Sequence, residues 1–137
     1  MVVRMANPDR PLAVLVVDDH PDTATSFVHL LGLAGHTVVT ACDGPSALAA
    51  VALVRPDAVL MDVGLPGEDG YRVAKQLCDR LGYRPLLIAV TGHQGLERRS
   101  QAAGFDHHLL KPADPDELLH LLADYTAGAA RAIGRAE

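Results

Sequence analysis

Short apolar runs alternate along the chain with longer stretches of mixed polarity. The runs Leu12 to Val17 and Ala58 to Met61 contain no polar residue, and each is followed at once by an aspartate. Such continuous runs are typical of strands that are covered on both faces of a parallel sheet. We therefore predict strands at 12–17 and 58–62, and weaker runs predict three more at 37–41, 86–91 and 107–110. Threonines at both ends of the Thr-Val-Val-Thr run favour an edge position for the second strand.

The stretches between these runs carry apolar residues at helical spacing and begin or end at prolines and glycines. The five predicted helices begin at Pro21, at or near Pro45, at about Asp69, at Gln94 and after the N-cap Asp114. They end near Gly32 or Gly35, before Arg55, at Leu81, at Ala103 before Gly104, and near residue 126. The start of the fifth helix carries the most helix-start signals, because Pro115 follows the N-cap Asp114 and Glu117 lies three residues after that cap.

Five strands that alternate with five helices predict a single doubly wound α/β domain with a five-stranded parallel sheet and helices on both faces. A flavodoxin-like strand order, 2-1-3-4-5, is our expectation, although periodicity alone does not establish it. We expect an N-terminal leader over 1–11, one domain over 12–126, and a short frayed C-terminal tail over 127–137.

Composition narrows the class of protein. The 137 residues carry a net charge of −5 and no basic cluster, which argues against nucleic-acid binding. No apolar run is long enough to cross a bilayer, and the N-terminus lacks the apolar core of a signal peptide. Cys42 and Cys78 have no metal-ligand spacing and favour a reducing compartment. We expect a cytoplasmic protein with no nucleic-acid partner and no membrane contact.

Polar residues stand at the carboxyl ends of four predicted strands. Asp18 and Asp19 follow the first strand, Asp62 ends the third, Thr91 ends the fourth, and Lys111 follows the fifth. The carboxyl ends of parallel strands lie at one edge of the sheet, which is where open α/β folds bind ligands. The sequence therefore predicts that three carboxylates, a hydroxyl and an ammonium group converge on one rim.

Three crowded carboxylates repel one another, and a hard divalent cation relieves that repulsion. Mg²⁺, or Mn²⁺, accepts oxygen ligands and keeps several waters. The predicted ligands are Asp19, Asp62, a backbone carbonyl near Gly64, and Asp18 through water. With the cation and Lys111 beside it, Asp62 would be the nucleophile that accepts a phosphoryl group.

Lys111 and the Thr91 hydroxyl are the predicted ligands of the phosphoryl oxygens. If these contacts form only after phosphorylation, they draw the ends of the fourth and fifth strands inward. The same residues would then act as a switch.

The rim residues occur together with Leu65-Pro66-Gly67 and Gly70 after Asp62, and with Pro112 after Lys111. In this combination the chain resembles a response-regulator receiver domain of two-component signalling, over about residues 12–125. The resemblance implies that Asp62 takes a phosphoryl group from a phosphohistidine on a sensor histidine kinase or a histidine phosphotransfer protein. It also implies the magnesium roles given above and a cis peptide between Lys111 and Pro112.

The resemblance further implies an output surface made of the fourth helix, the fifth strand and the fifth helix. The polar residues of the fourth helix are consistent with a surface that binds a partner, and equally with a face that is simply exposed to solvent. His108, three residues before Lys111, occupies a position where many receivers carry an aromatic rotamer switch, and a histidine could swing in the same way. Gly64 and His93 stand where the family tunes phosphoryl lifetime. The chain is either a stand-alone receiver or part of a longer hybrid kinase.

Two other functions remain open from the sequence. A magnesium-dependent phosphohydrolase with an aspartyl-phosphate intermediate commonly carries a second acid two residues after its nucleophile, where this chain has Gly64. A flavin or nucleotide binder of the same fold would need a glycine-rich loop after the first strand, where Asp18 and Asp19 stand. The seven histidines show no ligand spacing and are expected to be ordinary surface residues: His20, His29, His36, His93, His107, His108 and His120.

Overall fold

The computed structural model describes residues 11–65 and 67–136, with side chains described up to residue 126. The strands are β1 (Ala13–Val17), β2 (Thr37–Ala41), β3 (Ala58–Asp62), β4 (Leu86–Thr91) and β5 (His107–Leu110). The helices are α1 (Pro21–Leu33), α2 (Gly44–Val51), α3 (Gly70–Leu81), α4 (Glu97–Ala102) and α5 (Pro115–Ala136). The sheet is parallel throughout, in the order β2-β1-β3-β4-β5, so the predicted fold class and strand order are confirmed.

Each face of the sheet builds its own apolar core, because successive side chains of a strand point to opposite faces. On one face Val14 and Leu60 meet α1 and α5 through Phe27, Leu31 and Leu118. On the other face the strands pack against α2, α3 and the segment after α4, with these core residues: Leu15, Met61, Val51, Leu77 and Phe105. Burial on both faces explains the continuous apolar runs, and β2 is the edge strand that its threonines predicted.

Side-chain caps determine where three of the helices begin. The Asp43 carboxylate accepts the Ser46 amide hydrogen, and the Ser46 hydroxyl accepts from the Asp43 amide, which forms a reciprocal capping box at α2. Asp69 caps α3 through the amide of Tyr71. At α5 the Asp114 carboxylate accepts the Asp116 amide hydrogen, as the predicted N-cap requires.

Several predicted boundaries differ from the structure, among them the end of α2 at Val51, and two of the differences have a clear structural content. The fourth helix begins at Glu97 and not at Gln94, because Gly95 takes a left-handed φ of 87° that breaks the helix at that point. The fifth helix continues past residue 126 to Ala136, so the backbone of most of the predicted frayed tail is helical. The predicted leader lies outside the described residues except for Pro11.

His36 is buried, so the prediction of a surface histidine is wrong at this position. Its Nδ1 accepts a hydrogen bond of 3.0 Å from the amide of Leu12, 24 residues earlier in the chain. Burial lowers the pKa of His36 below its usual value, which favours the neutral ring that can accept this bond. The histidine therefore ties the turn between α1 and β2 to the start of β1.

Among the helices of the described part of the chain, none combines the length and apolar character needed to cross a membrane.

Candidate functional site

The strand register brings the predicted site residues to one rim of the sheet. Asp62 is the last residue of β3 and Thr91 the last residue of β4. Asp18 follows β1, and its amide donates to the carbonyl of Ala41 at the end of β2. Lys111 follows β5, and its amide donates to the carbonyl of Thr91 at 2.8 Å. Side chains from opposite ends of the sequence therefore meet because parallel strands end together.

Lys111 bridges two buried carboxylates. Its Nζ lies 2.9 Å from Oδ2 of Asp18 and 3.0 Å from Oδ2 of Asp62, and these two acids are only 4% and 5% exposed. Burial by itself would lower the pKa of Lys111, but the hydrogen bonds and negative charges of Asp18 and Asp62 outweigh burial and raise that pKa. Lys111 therefore remains an ammonium ion at neutral pH.

The loop after β3 holds the Asp62 carboxylate from the other side. Oδ1 of Asp62 accepts a hydrogen bond of 2.8 Å from the amide of Gly64. The ring of His93 flanks the same loop, because a Cβ built on Gly64 would lie 4.0 Å from its Cδ2. The predicted metal-ligand role of the Gly64 carbonyl stays a prediction.

Two further contacts fix the path of this loop. The Glu68 carboxylate accepts the amide hydrogen of Gly44 at 3.0 and 3.1 Å, which links the loop to the first turn of α2. A Cβ on Gly44 would overlap that carboxylate. Gly70 lies directly behind the site, where an added Cβ would come within 2.6 Å of Cα of Val63 and 3.0 Å of the carbonyl oxygen of Asp62.

We expect Gly70→Ala to destabilise the domain by about 2 kcal/mol, because a methyl group forced against backbone atoms must shift the loop. The matched control is Gly32→Ala in α1, where an added Cβ meets nothing within 4 Å. That change should leave stability equal or raise it by up to about 1 kcal/mol. Urea unfolding of both variants measures the difference. Equal stability of the two variants would contradict the close approach at Gly70.

The Thr91 side chain is fully buried, and its Oγ1 accepts the amide hydrogen of His93 at 3.1 Å.

His108 belongs to a chain of polar side chains in which its Nδ1 lies 2.8 Å from Oγ of Ser100. The same Oγ lies 3.0 Å from the hydroxyl of Tyr71 in α3. Nε2 of His108 is buried without a hydrogen-bond partner among the described residues. The predicted switch residue thus connects β5 to α4 and α3.

His20 is a site residue that the sequence interpretation missed. Its Nδ1 lies 3.2 Å from Oδ1 of Asp18 and 3.3 Å from Oδ1 of Asp19. The same nitrogen is 4.0 Å from Oδ2 of Asp62. The sequence clue to this role was the position of His20 directly after the acidic pair. A search for regular spacing between histidines could not detect it, because the cluster combines one imidazole with carboxylates.

The cluster suits a divalent cation. Asp18, Asp19, His20 and Asp62 each offer one donor atom, and these atoms all lie within 4.8 Å of one another. Oδ1 of Asp19 is buried and makes no hydrogen bond within the described part of the chain, so one carboxylate oxygen is available to a ligand. Carboxylate oxygens are the donors that Mg²⁺ and Mn²⁺ prefer.

A family model described as "Response regulator receiver domain" matches residues 14–123. The chain belongs to this family. Its sequence is 34% identical over 124 residues to sensor histidine kinase RcsC of Salmonella typhi, covering 89% of this chain and 13% of the relative. It is 38% identical over 110 residues to response regulator MprA of Mycolicibacterium vanbaalenii, covering 80% of this chain and 48% of the relative. The chain is thus a receiver domain of two-component systems, and it spans less than half the length of these two relatives.

The structure resembles chemotaxis protein CheY4 of Vibrio cholerae, with a TM-score of 0.73 at 31% identity, covering 82% of this chain and 96% of the other. The peptide between Lys111 and Pro112 is cis, as the sequence resemblance implied. The predicted family and the observed fold therefore agree.

Proposed function

We propose that this receiver accepts a phosphoryl group on Asp62 from a phosphohistidine of a sensor histidine kinase or a histidine phosphotransfer protein. The observation that carries the proposal is the setting of Asp62 at the sheet rim, 3.0 Å from the Lys111 ammonium group and beside two further acids. Relatives named as a sensor histidine kinase and as a response regulator support a kinase as the partner class.

In the transfer, an oxygen of the Asp62 carboxylate attacks phosphorus. A P–O bond forms, the P–N bond to the donor histidine breaks, and its electron pair stays on the donor imidazole. Lys111 offsets charge that gathers on the phosphoryl oxygens, since the raised pKa keeps it protonated. The Gly64 amide orients the carboxylate through its 2.8 Å hydrogen bond. Such transfers depend mostly on positioning and charge neutralisation.

Mg²⁺ or Mn²⁺ is the proposed cofactor, held by Asp19 and Asp62, by the backbone carbonyl of Gly64, and by Asp18 through water. When bound, the cation neutralises charge on the carboxylates and on the phosphoryl oxygens. The buried Oδ1 of Asp19, which has no hydrogen-bond partner among the described residues, supports this assignment.

We propose a switch through Thr91 and His108. Once Asp62 is phosphorylated, the Thr91 hydroxyl and Lys111 exchange their present partners for phosphoryl oxygens. Because the Lys111 amide is bonded to the Thr91 carbonyl, the ends of β4 and β5 move together. That movement reaches α4 through the contact between His108 and Ser100. The output protein would then bind the face formed by α4, β5 and α5.

The alternative of a phosphohydrolase has no support at the site. Gly64 supplies only its amide to Asp62 and places no acid two residues after the proposed nucleophile. We therefore propose a phosphoacceptor for signalling and not an enzyme with turnover on small substrates.

Intact-mass spectrometry tests the proposal. The chain is incubated with acetyl phosphate and Mg²⁺, and it should gain the mass of one phosphoryl group. The same reaction with a chelator should give little label, because the crowded carboxylates then repel the donor. Peptide mapping should place the group on the segment that contains Asp62. A chain that gains no mass in Mg²⁺, or that carries the label elsewhere, would contradict the proposal.

The labelled sample also tests the switch. The ring signals of His108 in NMR spectra should shift on phosphorylation, whereas those of His29, an exposed residue on α1, should not. Unchanged His108 signals in fully labelled protein would exclude His108 from the switch.

A further inference from the structure

His20 closes the solvent side of the acidic cluster. Its amide donates to Oδ1 of Asp18 at 2.9 Å, and Pro21 follows as the first residue of α1. The backbone of His20 is therefore held in the extended conformation that precedes the helix, with φ −94° and ψ 111°. Its imidazole is 64% exposed, so the ring is accessible, yet Nδ1 faces oxygens of three carboxylates.

The charges at the rim are not balanced. Among the residues that the structure describes, the carboxylates of Asp18, Asp19 and Asp62 face one ammonium group, that of Lys111. With a neutral imidazole, two negative charges remain, and one divalent cation would neutralise them. Nδ1 of His20 lies 3.3 Å from Oδ1 of Asp19, yet that oxygen makes no hydrogen bond to any residue that the structure describes. Two atoms that can bind a metal ion, Nδ1 of His20 and Oδ1 of Asp19, therefore lie side by side at the rim.

We propose that Nδ1 of His20 is a ligand of the cation at this site and biases it toward first-row transition metals such as Co²⁺ and Zn²⁺. This inference rests on one part of the proposed function, namely that the rim binds a divalent cation. Mg²⁺ demands oxygen ligands and gains little from an imidazole. Imidazole nitrogen is a preferred ligand of the later first-row metals, whose affinities also rise along the Irving–Williams series. His20 is then the residue that distinguishes these cations.

Metal titration of untagged protein tests the proposal, at one mildly alkaline pH and with Co²⁺ and Mg²⁺ as probes. His20→Phe removes the nitrogen and keeps a flat ring, and His29→Phe is the matched control on the exposed side of α1. Loss of an outer contact to a metal ligand already costs about 10- to 100-fold in affinity. We therefore expect His20→Phe to weaken Co²⁺ binding by at least about tenfold. Its Mg²⁺ affinity should stay close to that of the unmodified chain.

Pulsed EPR of bound Mn²⁺ provides a second readout that does not depend on affinity. Coupling to an imidazole nitrogen is expected in the unmodified chain and in His29→Phe, and it should vanish in His20→Phe. His20→Asn should lose the coupling as well, which guards against an effect of the phenylalanine ring. Circular dichroism confirms that each variant is folded.

The proposal is overturned if Co²⁺ binds His20→Phe as tightly as the unmodified chain, or more tightly, or if bound Mn²⁺ shows no nitrogen coupling. Tighter binding would mean that the imidazole competes with the cation. Failure here is separable from failure of the proposed function. Labelling of Asp62 in Mg²⁺, together with equal Co²⁺ affinity in His20→Phe and in the unmodified chain, would overturn the ligand role alone. Selective Co²⁺ binding without any labelling would overturn the phosphoacceptor role alone.

Discussion

Asp62→Asn is expected to abolish phosphoryl labelling by acetyl phosphate. The amide has nearly the same size as the carboxylate, so it fits beside Gly64 and Lys111, but its oxygen carries no charge and does not attack phosphorus. The variant should also bind Mg²⁺ more weakly, because one of the three acids is gone. Intact-mass spectrometry and Mg²⁺ titration measure the two effects.

The control for Asp62→Asn is Asp79→Asn in α3. The Asp79 side chain is 68% exposed, and its one ion pair within residues 11–65 and 67–126 is with Lys75 at 3.3 Å. An exposed ion pair of this type contributes at most about 1 kcal/mol, so the control should fold and accept label like the unmodified chain. Full labelling of Asp62→Asn would show that another residue accepts the phosphoryl group.

Lys111→Met is expected to destabilise the domain by about 3 kcal/mol in a buffer that contains a chelator. The change leaves the buried carboxylates of Asp18 and Asp62 without the cation that bridges them, and removal of one partner from a buried ion pair is strongly destabilising. The estimate stays at the low end because the Lys111 side chain is still 18% exposed. Urea unfolding with and without chelator measures the loss.

Mg²⁺ should restore part of this stability, since a ligand that binds only the folded chain stabilises it. Lys75→Met is the matched control, because Lys75 forms an exposed ion pair with Asp79, and it should cost less than about 1 kcal/mol. Combining Lys111→Met with Asp62→Asn should cost less than the sum of the two changes, because the buried acid and its cation are removed together. If the losses in unfolding free energy of the two single variants simply add in the double variant, the 3.0 Å contact between Lys111 and Asp62 contributes no coupling energy.

The candidate site could be predicted because its members lie at or just after the carboxyl ends of strands. Asp62 ends an apolar run, and Lys111 follows the weaker run of β5. A parallel sheet brings such positions together whatever the intervening helices contain. The structure places Lys111, one of the predicted rim residues, 2.9 Å from Asp18 and 3.0 Å from Asp62. The roles of Thr91, His108 and the Gly64 carbonyl stay predictions, since they concern a phosphorylated or metal-bound state.

The sequence interpretation failed where a residue's environment depends on distant partners. His36 looks like a surface residue in a turn, and only its contact with the amide of Leu12 reveals that it is buried. His20 could be placed next to the acids along the chain, but the direction of its ring could not be inferred. The late start of α4 follows from the conformation of Gly95, which is a local property that a search for helical periodicity does not detect.

The sequence by itself determined the five strands, the doubly wound class and the set of polar strand ends, because burial on both faces of a parallel sheet leaves a continuous apolar signature that stops at a polar residue. The tertiary structure alone decided which oxygens Lys111 bridges, why Gly70 must lack a side chain, and that an imidazole joins the acidic cluster. The reason is physical. Strand patterns arise from neighbours along the chain, whereas distances of about 3 Å between groups many residues apart arise only when the whole sheet and its loops have packed.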